Sequence, residues 1–110
     1  MKKVVRYNKL IRDGIPKIIR AAGWRPTMRI LKKKEFLGRV KKKVAEEAKE
    51  LIQSKDKEET INEIVDIQEL LDVLASELKI TRPEVKKFQE AKRKKRGSFK
   101  KRLFLIKEEK

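Results

Sequence analysis

Histidine and cysteine are both absent from this chain of 110 residues. Their absence removes disulfides, thiol nucleophiles, imidazole general bases and Cys/His zinc sites together. Any chemistry must come from carboxylates, lysines, hydroxyls, water and metal. Aromatic residues make up only 5% of the chain and charged residues 45%, so the core is expected to be aliphatic and helical. No apolar run approaches the ~20 residues that span a bilayer, and no apolar segment resembles a signal peptide. These absences predict a soluble, cytoplasmic protein with no membrane partner. The length predicts one domain over residues 1–110 with a modest core.

What is abundant is positive charge. Lysine and arginine number 33 against 17 acids, for a net charge of +16. Such a balance attracts nucleotides, nucleic acid and anionic surfaces without choosing among them. Residues 83–110 hold 12 lysines and arginines against 4 glutamates, half of the total excess.

Against this background, the acids that fall inside apolar helical stripes stand out. An α-helix turns by about 100° per residue, so residues three apart share a face. In one stretch Leu37, Val40, Val44, Ala48 and Leu51 form a core stripe. Glu47 falls inside it, Glu50 at its edge, and Glu46 points away. In the next stretch Ile64, Ile67, Leu71, Leu74 and Leu78 mark the core, with Glu63 inside the flank and Asp66 just outside. If the two helices pack antiparallel, Glu47, Glu50, Glu63 and Asp66 converge. Bare carboxylates at low dielectric repel, and a divalent cation resolves that conflict. Oxygen ligands favour magnesium, manganese or calcium over zinc. The competing reading is that these acids are solvated and pair with the many lysines. Glu69 and Asp72 repeat the same spacing on a different face.

Along the chain, Asp13-Gly14 reads as a turn, and Pro16 opens a short helix over 17–22 that Gly23 stops. Met28 to Leu31 is a short apolar run, expected as a strand. Helices follow over 34–53 and 57–78, the second expected to be central and buried on more than one side. Thr81-Arg82-Pro83-Glu84 is a capping-box start for a helix over 82–96, closed by Gly97. Leu103 to Ile106 is a second strand candidate, expected to pair with Met28 to Leu31. Phe99 is either core or a platform for a base. The fold expectation is thus mainly α: about four helices in a bundle, with a short two-stranded β element. The breadth of the apolar surface on the third helix calls for a homodimer or larger assembly to complete it.

In the order Glu46-Glu47-x-x-Glu50, twelve residues, Glu63-x-x-Asp66, the chain resembles the MazG-like all-α nucleoside triphosphate pyrophosphohydrolases. These are related to the dimeric dUTPases and phosphoribosyl-ATP pyrophosphohydrolases. The opening Tyr7-Asn8-Lys9-Leu10-Ile11-Arg12-Asp13-Gly14-Ile15-Pro16 is similar to the start of one house-cleaning branch. Lys95-Arg96-Gly97-Ser98-Phe99 is similar to that branch's close, with Ser98 where a glycine is usual. The resemblance implies metal ligands at Glu47, Glu50, Glu63 and Asp66, with Glu46 as an auxiliary; one of these carboxylates, or Glu46, is expected as the catalytic general base. It implies phosphate contacts from Lys9, Arg12, Lys95 and Arg96. It further implies Mg2+, with Mn2+ as a substitute, and hydrolysis of NTP to NMP and pyrophosphate, in house-cleaning of non-standard nucleotides. The charge of +16 exceeds what that family leads one to expect. It keeps open the alternative of a basic helical module that binds nucleic acid without catalysis, through the tail and the lysine run 41–43.

Overall fold

A computed structural model describes residues 2–110. Among them are four α-helices: α1 (Ile15–Ala21), α2 (Lys33–Gln53), α3 (Lys57–Glu77) and α4 (Arg82–Arg96). The chain divides into two units, the first ending at Leu78 and the second Lys79–Lys110. No helix among the described residues is long and apolar enough to cross a membrane.

Within the first unit, α2 and α3 are the packed helix pair. They form an antiparallel hairpin whose turn is fixed by side chains. The Ser54 hydroxyl donates to the Leu51 carbonyl at 2.6 Å and meets the Thr60 hydroxyl at 3.1 Å. Asp56 caps α3 by accepting from the Glu59 backbone N–H at 2.8 Å, while the Glu59 carboxylate accepts from the Lys55 N–H at 2.8 Å. Two of the backbone donors around the start of α3 are thereby satisfied reciprocally, which fixes where the helix starts.

The α2 stripe lies where the spacing places it. Val40 is 1% exposed, and Leu37, Val44, Ala48 and Leu51 are half-buried. The α3 stripe needs correction. Thr60, Glu63, Ile67, Leu70 and Leu74 are the half-buried series, at steps of three and four. Ile64, Leu71 and Leu78, expected in the core, are 54%, 43% and 46% exposed. The helix carries two apolar seams side by side, and α2 is wide enough to cover one.

α1 closes as Gly23 predicts. Gly23 takes φ +88°, its N–H donates to Arg20 O, and the Trp24 N–H reaches back to Ile19 O. That pattern needs a left-handed residue after the last turn, which glycine adopts without strain. Neither strand candidate is a strand, and there is no β-strand among the described residues. In the first, Arg29 forks onto Glu35 in the opening turn of α2, at 2.6 and 3.0 Å, and Ile30 is 99% exposed. The Leu103–Ile106 stretch is exposed throughout. An extended segment without a partner strand satisfies its backbone with water rather than a ladder.

In the second unit, α4 begins with the expected capping box: Thr81 Oγ1 accepts from the Glu84 N–H and the Glu84 carboxylate accepts from the Thr81 N–H. It ends at Gly97, at φ +82°. Every residue of this unit is exposed.

Asp56→Ala removes the acceptor at the start of α3 and should lower stability by about 1 kcal/mol. Thermal melts followed by helical circular dichroism should show a clear fall in Tm with unchanged helix content at low temperature.

Candidate metal centre

The hairpin places its buried acids in the seam itself. On α2 the seam runs Leu37, Val40, Val44, Glu47, Leu51, so Glu47 occupies a position that periodicity reserves for an apolar residue. On α3, Glu63 holds the equivalent position between Thr60 and Ile67. Antiparallel packing brings these two acids together, with Glu50 one turn along α2. One carboxylate oxygen from each of Glu47, Glu50 and Glu63 lies within 4.8 Å of the others.

Glu47 is only 8% exposed. Its Oε2 and Oε2 of Glu63 are buried without a hydrogen-bond partner. Unpaired buried carboxylate oxygens are costly, and native proteins rarely leave them so. Burial first, and then the neighbouring Glu63 and Glu50 carboxylates, push the Glu47 carboxyl up to about 7. The nearest cation is Lys43, one turn back on α2, whose Nζ is 3.9 Å from Glu47 Oε1 and 3.6 Å from Glu46 Oε2. It reaches the rim of the cluster and leaves Oε2 of Glu47 unmatched. Beside the cluster an open groove of about 280 Å³ is lined by Glu50, Gln53, Ser54, Glu59, Asn62 and Glu63.

The other expected site residues are distributed differently. Asp66 lies outside the close cluster, and its Oδ1 accepts from Arg12 Nη2 at 2.6 Å. Arg12 Nη1 also lies 3.9 Å from Glu69 Oε1. Glu46 points to solvent, 64% exposed, as its place on the wheel requires. Lys9 is exposed, with its ammonium 5.0 Å from the Tyr7 ring centroid, a cation–π distance. Lys95 and Arg96 belong to the second unit, exposed in the last turn of α4. Glu69 and Asp72 stay out of the cluster, and Asp72 accepts from the Gln68 amide at 3.0 Å.

Three contributors are not singled out by the sequence reading. Lys43 belongs to the lysine run 41–43, yet its side chain is only 24% exposed and lies against the acids. Its position four residues before Glu47 was the available signal. Gln53 and Asn62 line the groove, and Gln53, three residues after Glu50, extends the same face.

The donor set is all oxygen, with three carboxylates and two unpartnered buried oxygens. It fits a hard divalent cation such as Mg2+ or Mn2+. It does not fit a soft or histidine-requiring metal. Comparison with known proteins returns no matching family model, no matching curated protein and no matching solved structure.

The raised Glu47 carboxyl gives a pH prediction with a definite sign. Its folded value, about 7, lies above the ~4.3 of an unfolded glutamate. Folding then takes up a proton between these values. The stabilisation is full below the unfolded value and is lost as pH rises through 7. No histidine or cysteine is present to titrate in that window. The metal-free protein should therefore melt several degrees higher at pH 5.5 than at pH 8, and Glu47→Gln should flatten the difference. Melting curves in EDTA across that range check both.

Proposed function

We propose that the protein is a metal-dependent nucleoside triphosphate pyrophosphohydrolase, releasing a nucleoside monophosphate and pyrophosphate. The observation that carries the metal part is the buried Glu47 carboxylate, whose Oε2 has no partner, beside Glu50 and Glu63. The choice of reaction is supported by the resemblance in the order and spacing of the acids and in the two flanking motifs.

In this reading Glu47, Glu50 and Glu63 hold the cation, and Asp66 is the fourth acid within reach on α3. When bound, a divalent ion supplies a water of lowered pKa and neutralises phosphate charge. One of the carboxylates accepts the proton of the attacking water. Arg12, and Lys9 on the same segment, neutralise and orient phosphate oxygens. Lys95 and Arg96 do the same in the resemblance. House-cleaning of non-standard nucleotides is the physiological role that the resemblance supports.

The second apolar seam of α3 supports a homodimer. Ile61, Ile64, Leu71 and Leu78 are each 43–54% exposed. With Gln68 and Ala75 they follow steps of three and four, the spacing of a helix–helix interface. A face of this length on a soluble helix is covered by another helix in stable proteins. A second copy supplies one with the same pattern. Light scattering at micromolar concentration should give twice the chain mass, and Ile64→Lys with Leu71→Lys should halve it. A wild-type monomer would remove the claim.

The function is tested by product identity and by stability together. With Mg2+ and a panel of standard, deoxy and damaged triphosphates, the expected products are monophosphate and pyrophosphate. Orthophosphate with diphosphate would mean different chemistry. Glu63→Gln should abolish hydrolysis while leaving the metal-free protein as stable as wild type or more so, because it removes one of the repelling charges. Mg2+ should raise the Tm of wild type and much less that of the variant, since a ligand stabilises the state that binds it. A wild type indifferent to Mg2+, inactive on every triphosphate and binding nucleic acid with steep salt dependence would establish the nucleic-acid module instead.

A further inference from the structure

We propose that Arg12 is a latch on the metal centre: it holds the Asp66 carboxylate off the Glu47–Glu50–Glu63 cluster, and cation binding draws Asp66 away and frees the guanidinium for a phosphoryl oxygen. The inference rests on the carboxylate centre described above.

Three observations lead to it. The first is which acid Arg12 holds. Asp66 stands three residues from Glu63 on α3, one helical step along the same side. It is the next carboxylate after Glu63 along α3. It is also the one of the four converging acids whose oxygen lies outside the 4.8 Å group. Its Oδ1 is instead 2.6 Å from Arg12 Nη2.

The second is how weakly the pair is anchored. The Arg12 and Asp66 side chains are 53% and 40% exposed. Exposed pairs of this kind add little to folding. The fold therefore does not depend on the contact, and a competing ligand can break it. A hard dication, for which three carboxylate oxygens leave coordination positions open, competes directly for the same oxygen.

The third is what is left behind. Glu69 Oε1 lies 3.9 Å from Arg12 Nη1, so the Nη1 edge stays oriented by Glu69 while the Nη2 edge is the one released when Asp66 leaves. Ile15 N–H donates to the Arg12 carbonyl at 3.0 Å, which ties the Arg12 backbone to the start of α1. The guanidinium cannot lose its charge, and its planar fork fits carboxylate and phosphate alike. It stays beside the centre as a ready anion site. Cation binding and phosphate binding are then coupled through one ion pair: each makes the other easier, because each removes a partner from the closed latch.

Mn2+ is the probe, followed by the free-ion signal in electron paramagnetic resonance in nucleotide-free protein. Arg12→Gln should bind Mn2+ more tightly than wild type by about three- to fivefold, the scale of an exposed ion pair. In an Asp66→Asn background the same change should have no effect. With Mn2+ present, Arg12→Gln should bind inorganic tripolyphosphate more weakly than wild type does. Circular dichroism confirms that each variant folds. If Arg12→Gln leaves Mn2+ affinity unchanged or weaker, the latch is wrong while the centre stands. If it tightens Mn2+ equally in the Asp66→Asn background, Arg12 acts as a general positive charge and the latch is wrong. If wild type and Arg12→Gln both fail to bind Mn2+, the carboxylate centre itself falls, and the latch with it.

Discussion

The structure turns on a carboxylate placed where a helical hairpin needs an apolar side chain. Glu47 occupies a seam position of α2, and Glu63 the facing position of α3. Neither is covered by a hydrogen bond on its inner oxygen. The rest of the seam must be good enough to tolerate this. Val40 is sealed to 1% exposure, and the turn from Ser54 to Thr60 is held by reciprocal side-chain bonds. These contacts fix the register of the hairpin, and the register brings Glu50 beside the other two acids. A slip of one residue would rotate Glu47 by about 100° and disperse the group.

The same constraint explains the uneven charge of the chain. α3 carries seven of the 17 acids and a single lysine, although the protein as a whole is at +16. The acids of the hairpin attract the cations that neighbour them. Arg12 settles on Asp66 and Glu69, and on α2 Lys43 leans toward Glu46 and Glu47. Both cations sit at the rim. A lysine or arginine driven into the seam would pair the buried oxygens but would have to lose its own hydration, a cost the attraction rarely exceeds. A hard dication offsets its dehydration better, since several carboxylate oxygens replace waters of its shell at once and the remaining waters stay bound.

The apolar surface of α3 is divided for a related reason. One seam is used to bury the acids against α2, and the other stays open. Only the first could be sheltered by a helix of the same hairpin, because a single helix covers an arc of about 100°. The exposed Ile61, Ile64, Leu71 and Leu78 therefore lie outside the packing of α2 on α3.

The sequence by itself determined the helices. Apolar steps of three and four, the Thr81–Glu84 capping box and Gly23 and Gly97 after helix ends are local signals, and local hydrogen bonds and sterics obey them. It also determined that Glu47 falls inside the α2 stripe and Glu63 on the flank of the α3 stripe, since a helical wheel needs only residue spacing. It could not decide which of two adjacent apolar stripes on α3 meets α2; Ile64 and Leu71 were placed in the core and lie outside it. It could not exclude a strand at Met28 to Leu31, because strand formation depends on a partner elsewhere in the chain. Nor could it show that Arg12, 54 residues away, closes on Asp66. Stripe choice, strand pairing and that ion pair are set by contacts between distant segments. Such contacts exist only once the hairpin has packed, and no periodicity in the sequence encodes them.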